Sequence, residues 1–478
     1  MTVAIWSFIL SLLAMTAVGA LSYVNKKEET EDYLLASREV PAWLSALSAV
    51  STNNSGFMFI GMIGYTYRLG IESIWLMIGW IAGDLCGWLF FYPRIRSQSE
   101  ELDVNTMTGL FAKSGDRILR ALMVAGGAIT FVFLGVYASG QLKAGSTALH
   151  ALFGWDLRVG ALIAAGIVIL YSFAGGIRAD IWTDAAQSCV MIFSMIALVV
   201  TGWMEIGGPA ALFENLEGQD PALTGLFPEN ARFGLIAWLL GMAFTGFGAI
   251  GQPHLMTRYM AIKSVESMKS ARVYYFLWYI PFFVSAIIVG LYCRALIPEL
   301  AEREVARGLD EPTELALPIM AMELLPQVMV GITLAGLFAA IVSTADSQII
   351  VCSGSLTNDI FPRWKDSYLA SKIGTLTITA LSLGIALLAP EGVFSLVLIA
   401  WSAMGASLGS ILALSLLGRR PPQSVSLTMM AVAILVVIVW QVSDLDQDVF
   451  EMFPAMVAAF SVYGGWLGIR ALKSRKTS

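Results

Sequence analysis

Long apolar runs alternate with short polar links along the whole chain. Runs of about 18 residues or more, the length at which a helix crosses the hydrocarbon core of a bilayer, fall at residues 3–23, 42–66, 71–93, 119–149, 158–175, 181–203, 233–252, 273–297, 319–357, 371–389, 391–417, 423–441 and 450–470. They predict thirteen transmembrane helices. The links Glu205–Ala231 and Ile297–Leu317 are the longest on one side, and their proline and glycine punctuation makes them candidates for short surface helices. The link Arg94–Arg117 is polar and mixed in charge, which reads as a solvated connection.

Three runs break their own apolar pattern. The second carries Ser51-Thr52-Asn53-Asn54-Ser55-Gly56, where an unwound turn would expose carbonyl oxygens. The seventh carries Phe244-Thr245-Gly246-Phe247-Gly248-Ala249-Ile250-Gly251-Gln252-Pro253, with its glycines crowded together. The ninth carries Ala340-Ile341-Val342-Ser343-Thr344-Ala345-Asp346-Ser347-Gln348. At about 100° per residue, Ala340, Ser343, Thr344 and Ser347 share one helical face, with Asp346 on its flank. Such groups are costly in lipid and need partners. An unwound turn opposite two hydroxyls forms a sodium-type site of hard oxygen donors. The alternative is that the hydroxyls bond back to their own helix and glue helices together, as the glycines of the seventh run could by close packing.

The second and seventh runs are an odd number of spans apart, so they cross in opposite directions. Spans 2–6 and 7–11 then form an inverted repeat of five plus five helices, with substrate at the midplane between the two broken helices. The expected organisation is a first helix and link over 1–40, a first repeat over 41–204, an outer loop over 205–232, a second repeat over 233–417, and two last helices with a tail over 418–478.

Composition agrees with a membrane protein. Of 478 residues, 57% are hydrophobic and 13% charged, and the mean hydropathy is +0.73. The net charge of −6 comes without a clustered basic groove, which argues against a nucleic-acid partner. Two histidines, His150 and His254, leave little for a histidine-based metal site or catalytic triad. Cys86, Cys189, Cys293 and Cys352 stand singly in apolar runs, read as small core residues without a disulfide or metal role. No basic residue precedes the first run, and Lys26 and Lys27 follow it; a signal peptide has the opposite polarity, so the run is retained and the N-terminus is expected outside. Links holding most of the Lys and Arg residues then fall on the cytoplasmic side, where the C-terminus also lies, as the positive-inside rule requires. Asp84 and Lys143 lie within spans; they either pair with each other, or Lys143 receives a substrate carboxylate.

With these motifs in place, the chain resembles the sodium:solute symporter family, in its sodium/proline symporter branch. The resemblance is carried by Leu47-Ser48-Ala49 leading into Asn54-Ser55-Gly56, by Tyr137-Ala138-Ser139-Gly140, by Gly175-Gly176 with Trp182-Thr183-Asp184, by Gly251-Gln252-Pro253-His254 with Arg258, and by Ser343-Thr344 with Gln348. It implies a LeuT-like fold with one extra helix before and two after the ten-helix core. It also implies inward cotransport of a small solute with Na⁺, without catalysis, in a plasma membrane such as the bacterial inner membrane. By resemblance, the main sodium site maps onto the carbonyls of Ser51, Asn54 and Ala340 and the hydroxyls of Ser343 and Thr344. A second sodium site, present in some relatives, maps onto Asp184, Asp346 and Ser347; the competing account of Asp184 is a first-turn carboxylate favoured by a helix N-terminus. The substrate candidates are Asn53, Ser55, Gly56, Phe57, Tyr137, Gln141, Lys143, Thr245 and Phe247. Asn53 stands where the proline branch has an aspartate, and Thr245 and Ala249 stand where it has aromatics, which puts proline itself in question. An amino acid such as proline or a related zwitterion is the expected solute, with a monocarboxylate, a sugar or a receptor role as alternatives. The expected partners are the solute, the sodium ion and the lipid bilayer, with no obligatory protein partner. Some relatives carry a fused signalling module; the short tail after Arg470 favours transport over a receptor.

Overall fold

Backbone polar groups have no water to bond in a bilayer, so each apolar run must satisfy its own amides, and the chain does this as helices. The computed structural model describes residues 2–22, 35–114, 117–174, 176–306, 311–365, 367–389 and 391–477. Lys26, Lys27, Gly175 and Arg307 lie outside the described residues. In chain order the helices are α1 (Thr2–Ser22), α2 (42–69), α3 (74–101), α4 (Met107–Ala112), α5 (Arg120–Phe153), α6 (Leu157–Ala174), α7 (Gly176–Ile206), α8 (Pro209–Gln219), α9 (Leu235–Phe244), α10 (Pro253–Ala261), α11 (Ser267–Leu296), α12 (Leu300–Val305), α13 (Ala316–Leu324), α14 (Gln327–Gly354), α15 (Tyr368–Leu388), α16 (Val393–Leu416), α17 (Gln423–Val442) and α18 (Met452–Thr477).

The all-α class is as expected, but the span count is not reached by length and apolarity. Among the described residues, 9 helices are long and apolar enough to cross a membrane, and up to 10 if the bent pair is one span. The first and fifth expected spans are shorter apolar stretches, Thr2–Val18 and Leu157–Leu170. The second and third run on as one helical stretch, Ala42–Glu101, which turns at Gly70, where φ is 66°.

The seventh span differs from its expected 233–252. α9 passes into a tight 3-10 stretch over Thr245–Gly251, the backbone extends at Gln252, and α10 continues to Ala261 at 57° to the first half. Pro253 explains the restart, since its fixed φ suits a first helical turn while its missing amide cannot continue the preceding helix. The glycines serve close packing as well as the break. A Cβ on Gly79 of α3 would collide with the Met242 carbonyl, and one on Gly246 with the carbonyls of Gly79 and Trp80.

The two longest links on the expected outer side, 205–231 and 297–317, carry short helices, α8 and α12. The link over 94–117 is less solvated than expected. Arg96 is buried with its guanidinium on the Ile262 and Lys263 carbonyls, and all of α4 is buried. α14 lies at the centre of the molecule, with α1, α2, α5, α6, α7 and α15 packed around it.

Candidate cation and solute site

The site is built where α2 breaks against α14. Ser55 takes φ 47° and ψ −166°, a strained position for a residue with a Cβ, costing on the order of 1–3 kcal/mol unless its surroundings impose it. The Gly56 amide leaves the helix ladder and donates to Gln141 Oε1 of α5 at 3.0 Å. Phe57 N donates to the Asn54 carbonyl and, at 3.2 Å, to Ser55 Oγ. Glycine is required at 56 because a Cβ there would stand 2.6 Å from Ile341 Cγ1 of α14.

On α14, whose Ile341 meets this break, the hydroxyls behave differently from one another. Ser343 Oγ donates to the Asp184 carboxylate and lies 3.4 Å from Asp180 Oδ1. Ser347 Oγ, with one proton to give, lies 2.6 Å from Asp180 Oδ2 and 3.0 Å from the Ser343 carbonyl. Thr344 Oγ1 is buried and, among the described residues, has no hydrogen-bond partner, not even a carbonyl of its own helix. A buried orphan hydroxyl costs about 1–3 kcal/mol, so the back-bonding account does not apply to Thr344. Of the expected carbonyl donors, Ser51 turns its side chain toward Met191 Sδ at 3.4 Å, and Asn54 donates its amide to the Val50 carbonyl at 2.6 Å.

Asp184 lies more than two turns inside α7, not in its first turn, so the helix N-terminus does not explain it. It accepts from Ser48 Oγ at 2.5 Å and Thr52 Oγ1 at 3.2 Å, both on α2. Asp346 is buried on the Asp180 side of the same cluster. Two further members were not singled out from the sequence as site residues. Asp180 is one turn before Asp184, and Arg258 is on α10, where its Nη2 lies 2.6 Å from Asp180 Oδ2, 3.5 Å from Asp184 Oδ2, and in contact with Ser347. The cytoplasmic-link placement of Arg258 is thereby corrected: the broken span runs nine residues further and buries it. The available signals were the i, i+4 spacing of Asp180 and Asp184 and a helix-compatible stretch after Pro253. A small cavity of ≈ 30 Å³ touches Asp180, Arg258 and Ser347, walled by Thr106, Thr108 and Ser355. Among the described residues, no three His, Cys, Asp or Glu side chains converge as at a multivalent-metal centre. Hydroxyls beside carboxylates that Arg258 partly neutralises are hard oxygen donors of the kind that suit a monovalent cation.

The solute candidates divide. Asn53 donates to the Tyr275 hydroxyl at 2.6 Å and keeps an unpartnered Oδ1. Gln141 keeps an unpartnered Nε2, and Tyr137 stands edge-on to His254 at 5.4 Å between ring centroids. Both ring nitrogens of the buried His254 are unpartnered, as are both ends of the Gln348 amide. Phe57 stacks against Phe394 at 5.3 Å and lies tilted against Trp80 at 5.2 Å. Thr245 turns its hydroxyl to the Met242 carbonyl and offers its own carbonyl to Trp401 Nε1 at 2.8 Å, so an indole from α16 covers the break. Phe247 packs on Phe244, which meets Phe453 of α18, away from the break.

Lys143 is not in the centre. Its ammonium donates to the Ala389 carbonyl at 2.6 Å, the C-cap of α15 where a cation is favoured, and to the Glu391 carbonyl in the link beyond. Asp84 accepts from the Tyr92 hydroxyl at 2.7 Å, inside a cluster with Trp88, Tyr259 and Tyr275. The two charges therefore do not pair, and the Lys143 ammonium stands at the end of α15, apart from Asn53, Tyr137 and Gln141.

Residues 33–433 match the model of the sodium:solute symporter family. The high-affinity proline transporter PutP of Bacillus subtilis is 29% identical over 456 residues, covering 93% of both chains. A sodium/proline symporter of Haemophilus influenzae is 29% identical over 470 residues, covering 95% of this chain and 92% of its own. In fold, the chain is similar to a Na⁺-coupled sialic acid symporter in a substrate-bound outward-open state, with TM-score 0.75, 18% identity and 96% of both chains covered. It is similar to Mhp1, a nucleobase-cation-symport-1 family transporter, with TM-score 0.58 at 14% identity, covering 90% of this chain and 93% of that one. With the matched region spanning most of its length and sodium as the coupling ion, this chain belongs to the sodium:solute symporter family, and is a multi-pass membrane transporter that moves a small solute together with sodium.

Proposed function

We propose that the protein imports a small zwitterion of the proline type, driven by two sodium ions, with its N-terminus outside and its C-terminus in the cytoplasm. The observation that carries the cation reading is the orphaned Thr344 hydroxyl, buried next to Ser343 on α14, the helix whose Ile341 lies against Gly56 at the strained break of α2. A main sodium there would take the carbonyls of Ser51, Asn54 and Ala340 and the hydroxyls of Ser343 and Thr344. The second would take Asp184, Asp346 and Ser347, with Asp180 opposing Arg258 beside it. The solute would lie against Asn53, Ser55, Gly56, Phe57, Tyr137 and Gln141, with Thr245 and Phe247 as the remaining candidates on the broken seventh span. The unpartnered polar atoms of Asn53, Gln141 and His254 offer a zwitterion both donors and acceptors. Relatives named as proline transporters support an imino or amino acid over a sugar.

Coupling is by linkage. A ligand shifts an equilibrium only by its differential affinity for two states, so sodium bound between α2 and α14 stabilises the outward-open form while it shapes the adjoining solute pocket. With the inside negative by ~100 mV, each entering charge supplies about 2.3 kcal/mol before any concentration term. Purified protein in proteoliposomes is expected to accumulate labelled proline only under an inward sodium gradient, and excess unlabelled amino acids of similar size should compete. Accumulation that ignores the sodium gradient, or a panel in which only sugars or simple carboxylates are taken up, would overturn the reading.

A further inference from the structure

On the expected outer side, the link from α15 to α16 is held by charges suited to each helix end. Lys143 of α5 bonds the C-cap carbonyl of α15, Ala389, and the Glu391 carbonyl in the link, and Glu314 accepts from Phe394 N at 3.0 Å, in the first turn of α16. An anion at a helix start and a cation at a helix end both relieve the backbone dipole. Gly392 is pressed between them and the strap: a Cβ there would stand 2.7 Å from Glu314 Oε1 and 2.8 Å from Glu311 Cγ. Glu314 belongs to a short helical strap, Pro312–Leu315, which also lies on the outer half of α2, where a Cβ on Gly64 would stand 2.7 Å from the Thr313 carbonyl. The strap therefore ties α2 to the start of α16.

The residue whose amide Glu314 holds is also the middle of an aromatic stack. Phe394 lies between Tyr65, at 4.7 Å and 9° between planes, and Phe57, at 5.3 Å. On one side of this stack is a cavity of ≈ 700 Å³ walled by Tyr65, Arg68, Glu72, Phe394 and Asp446; on the other is the break at Ser55 and Gly56. We propose that Glu314 is the latch of the outer gate: its carboxylate, opposed by Lys143, positions the start of α16 so that Phe394 stays closed against Tyr65 and Phe57. This rests on the proposed orientation and transport cycle.

The latch is sensitive to outside pH. Burial pushes the Glu314 carboxyl up to about 7, against the opposing pull of the Phe394 amide, with Glu311 raising it further and Lys143 lowering it. Below that pH the carboxyl holds its proton and caps weakly; above it the carboxylate caps strongly, so the gate latches as pH rises through about 7 and is released as pH falls. Among the described residues, the other charged or titratable groups near Glu314 include His150 on α5 and Arg158 at the start of α6, with Glu391 in the adjoining link; on α12, Arg303 and Glu304 pair with each other, and Arg68 on α2 faces the large cavity.

The test is external labelling of Ser55→Cys, as a reporter beneath the gate, in a chain with its four native cysteines replaced. A membrane-impermeant maleimide is applied to sealed vesicles from each side in turn between pH 5.5 and 8.5. Thiolate chemistry alone makes labelling faster as pH rises, whereas the latch slows it. With Glu314 present, outer labelling at pH 8 relative to pH 6 is expected to be about tenfold lower than in the Glu314→Gln chain, the ratio that ~1.4 kcal/mol of cap strength gives. Lys143→Met should move the transition to higher pH, and Glu314→Asp should restore part of it, which a merely misfolded variant would not do. Identical pH profiles in the Glu314 and Glu314→Gln chains would overturn the latch. Because labelling needs neither sodium nor solute, that failure is distinct from a failure of the transport reading.

Discussion

At the residue scale, the informative atoms are those left without a partner. Thr344 Oγ1 is buried and unbonded, whereas Thr377 on the exposed side of α15 bonds back to the Ile373 carbonyl at 2.8 Å. If Thr344 ligates sodium, its loss removes a contact to a charged group, about 1.5–3 kcal/mol. Thr344→Ala should therefore raise the sodium concentration for half-maximal uptake on the order of ten- to a hundredfold, while Thr377→Ala leaves it unchanged; equal values would remove Thr344 from the site. Asp180 supports a separate prediction. Its contact at 2.6 Å keeps the Arg258 guanidinium off Asp184, which lies at 3.5 Å. In Asp180→Asn the arginine would close on Asp184 and compete with a cation there, lowering the steepness of uptake against sodium. The double change Asp180→Asn with Arg258→Gln should recover that steepness if competition is the cause. Removing one partner of a buried pair costs about 3–5 kcal/mol, so a purely structural role would appear as lost protein in the single variant with no change in steepness.

At the element scale, the broken helices are held in shape by backbone contacts. Gly56→Ala inserts a methyl group 2.6 Å from Ile341 Cγ1, at the point where α2 crosses α14. Overpacking of this kind costs about 1–3 kcal/mol. Gly384 of α15 has open space at its Cβ position. Thermal unfolding in detergent should therefore show Gly56→Ala lowered and Gly384→Ala unchanged, and a shift of equal size in both would show that the close crossing carries no stability. The recognisable part of these elements was the interruption of apolar runs by Ser51–Gly56 and by the glycines of the seventh span. The strained residue, Ser55, and the restart at Pro253 that carries Arg258 inward depend on neighbouring helices, and no periodicity contains that information.

At the scale of the whole molecule, the cluster around Asp184, built from α2, α7, α10 and α14, and the Thr344 hydroxyl on α14 are the two places for positive charge in the proposed two-ion cycle. Two sodium ions per zwitterionic solute would carry two net charges per cycle. Charge-to-solute flux ratios in proteoliposomes clamped at several voltages should therefore approach two, and Asp346→Ala should lower the ratio toward one while leaving some sodium-driven uptake. A wild-type ratio of one would end the two-ion reading, leaving Arg258 as the fixed cation of the inner cluster.

The sequence by itself determined the class, the break points and the coupling ion's family. Apolar run lengths follow from bilayer thickness, polar interruptions stand out because lipid makes them costly, and hydroxyls three and four residues apart share a helical face whatever surrounds them. Tertiary structure decided which charges are neighbours. Lys143 and Asp84 are both intramembrane by position, yet one caps α15 and the other bonds Tyr92, while Arg258 and Asp180, 78 residues apart, form the buried pair. The physical reason is that hydropathy along the chain fixes depth and helical face but not which helices are adjacent. Electrostatic partnership at 2.6 Å depends on that adjacency alone.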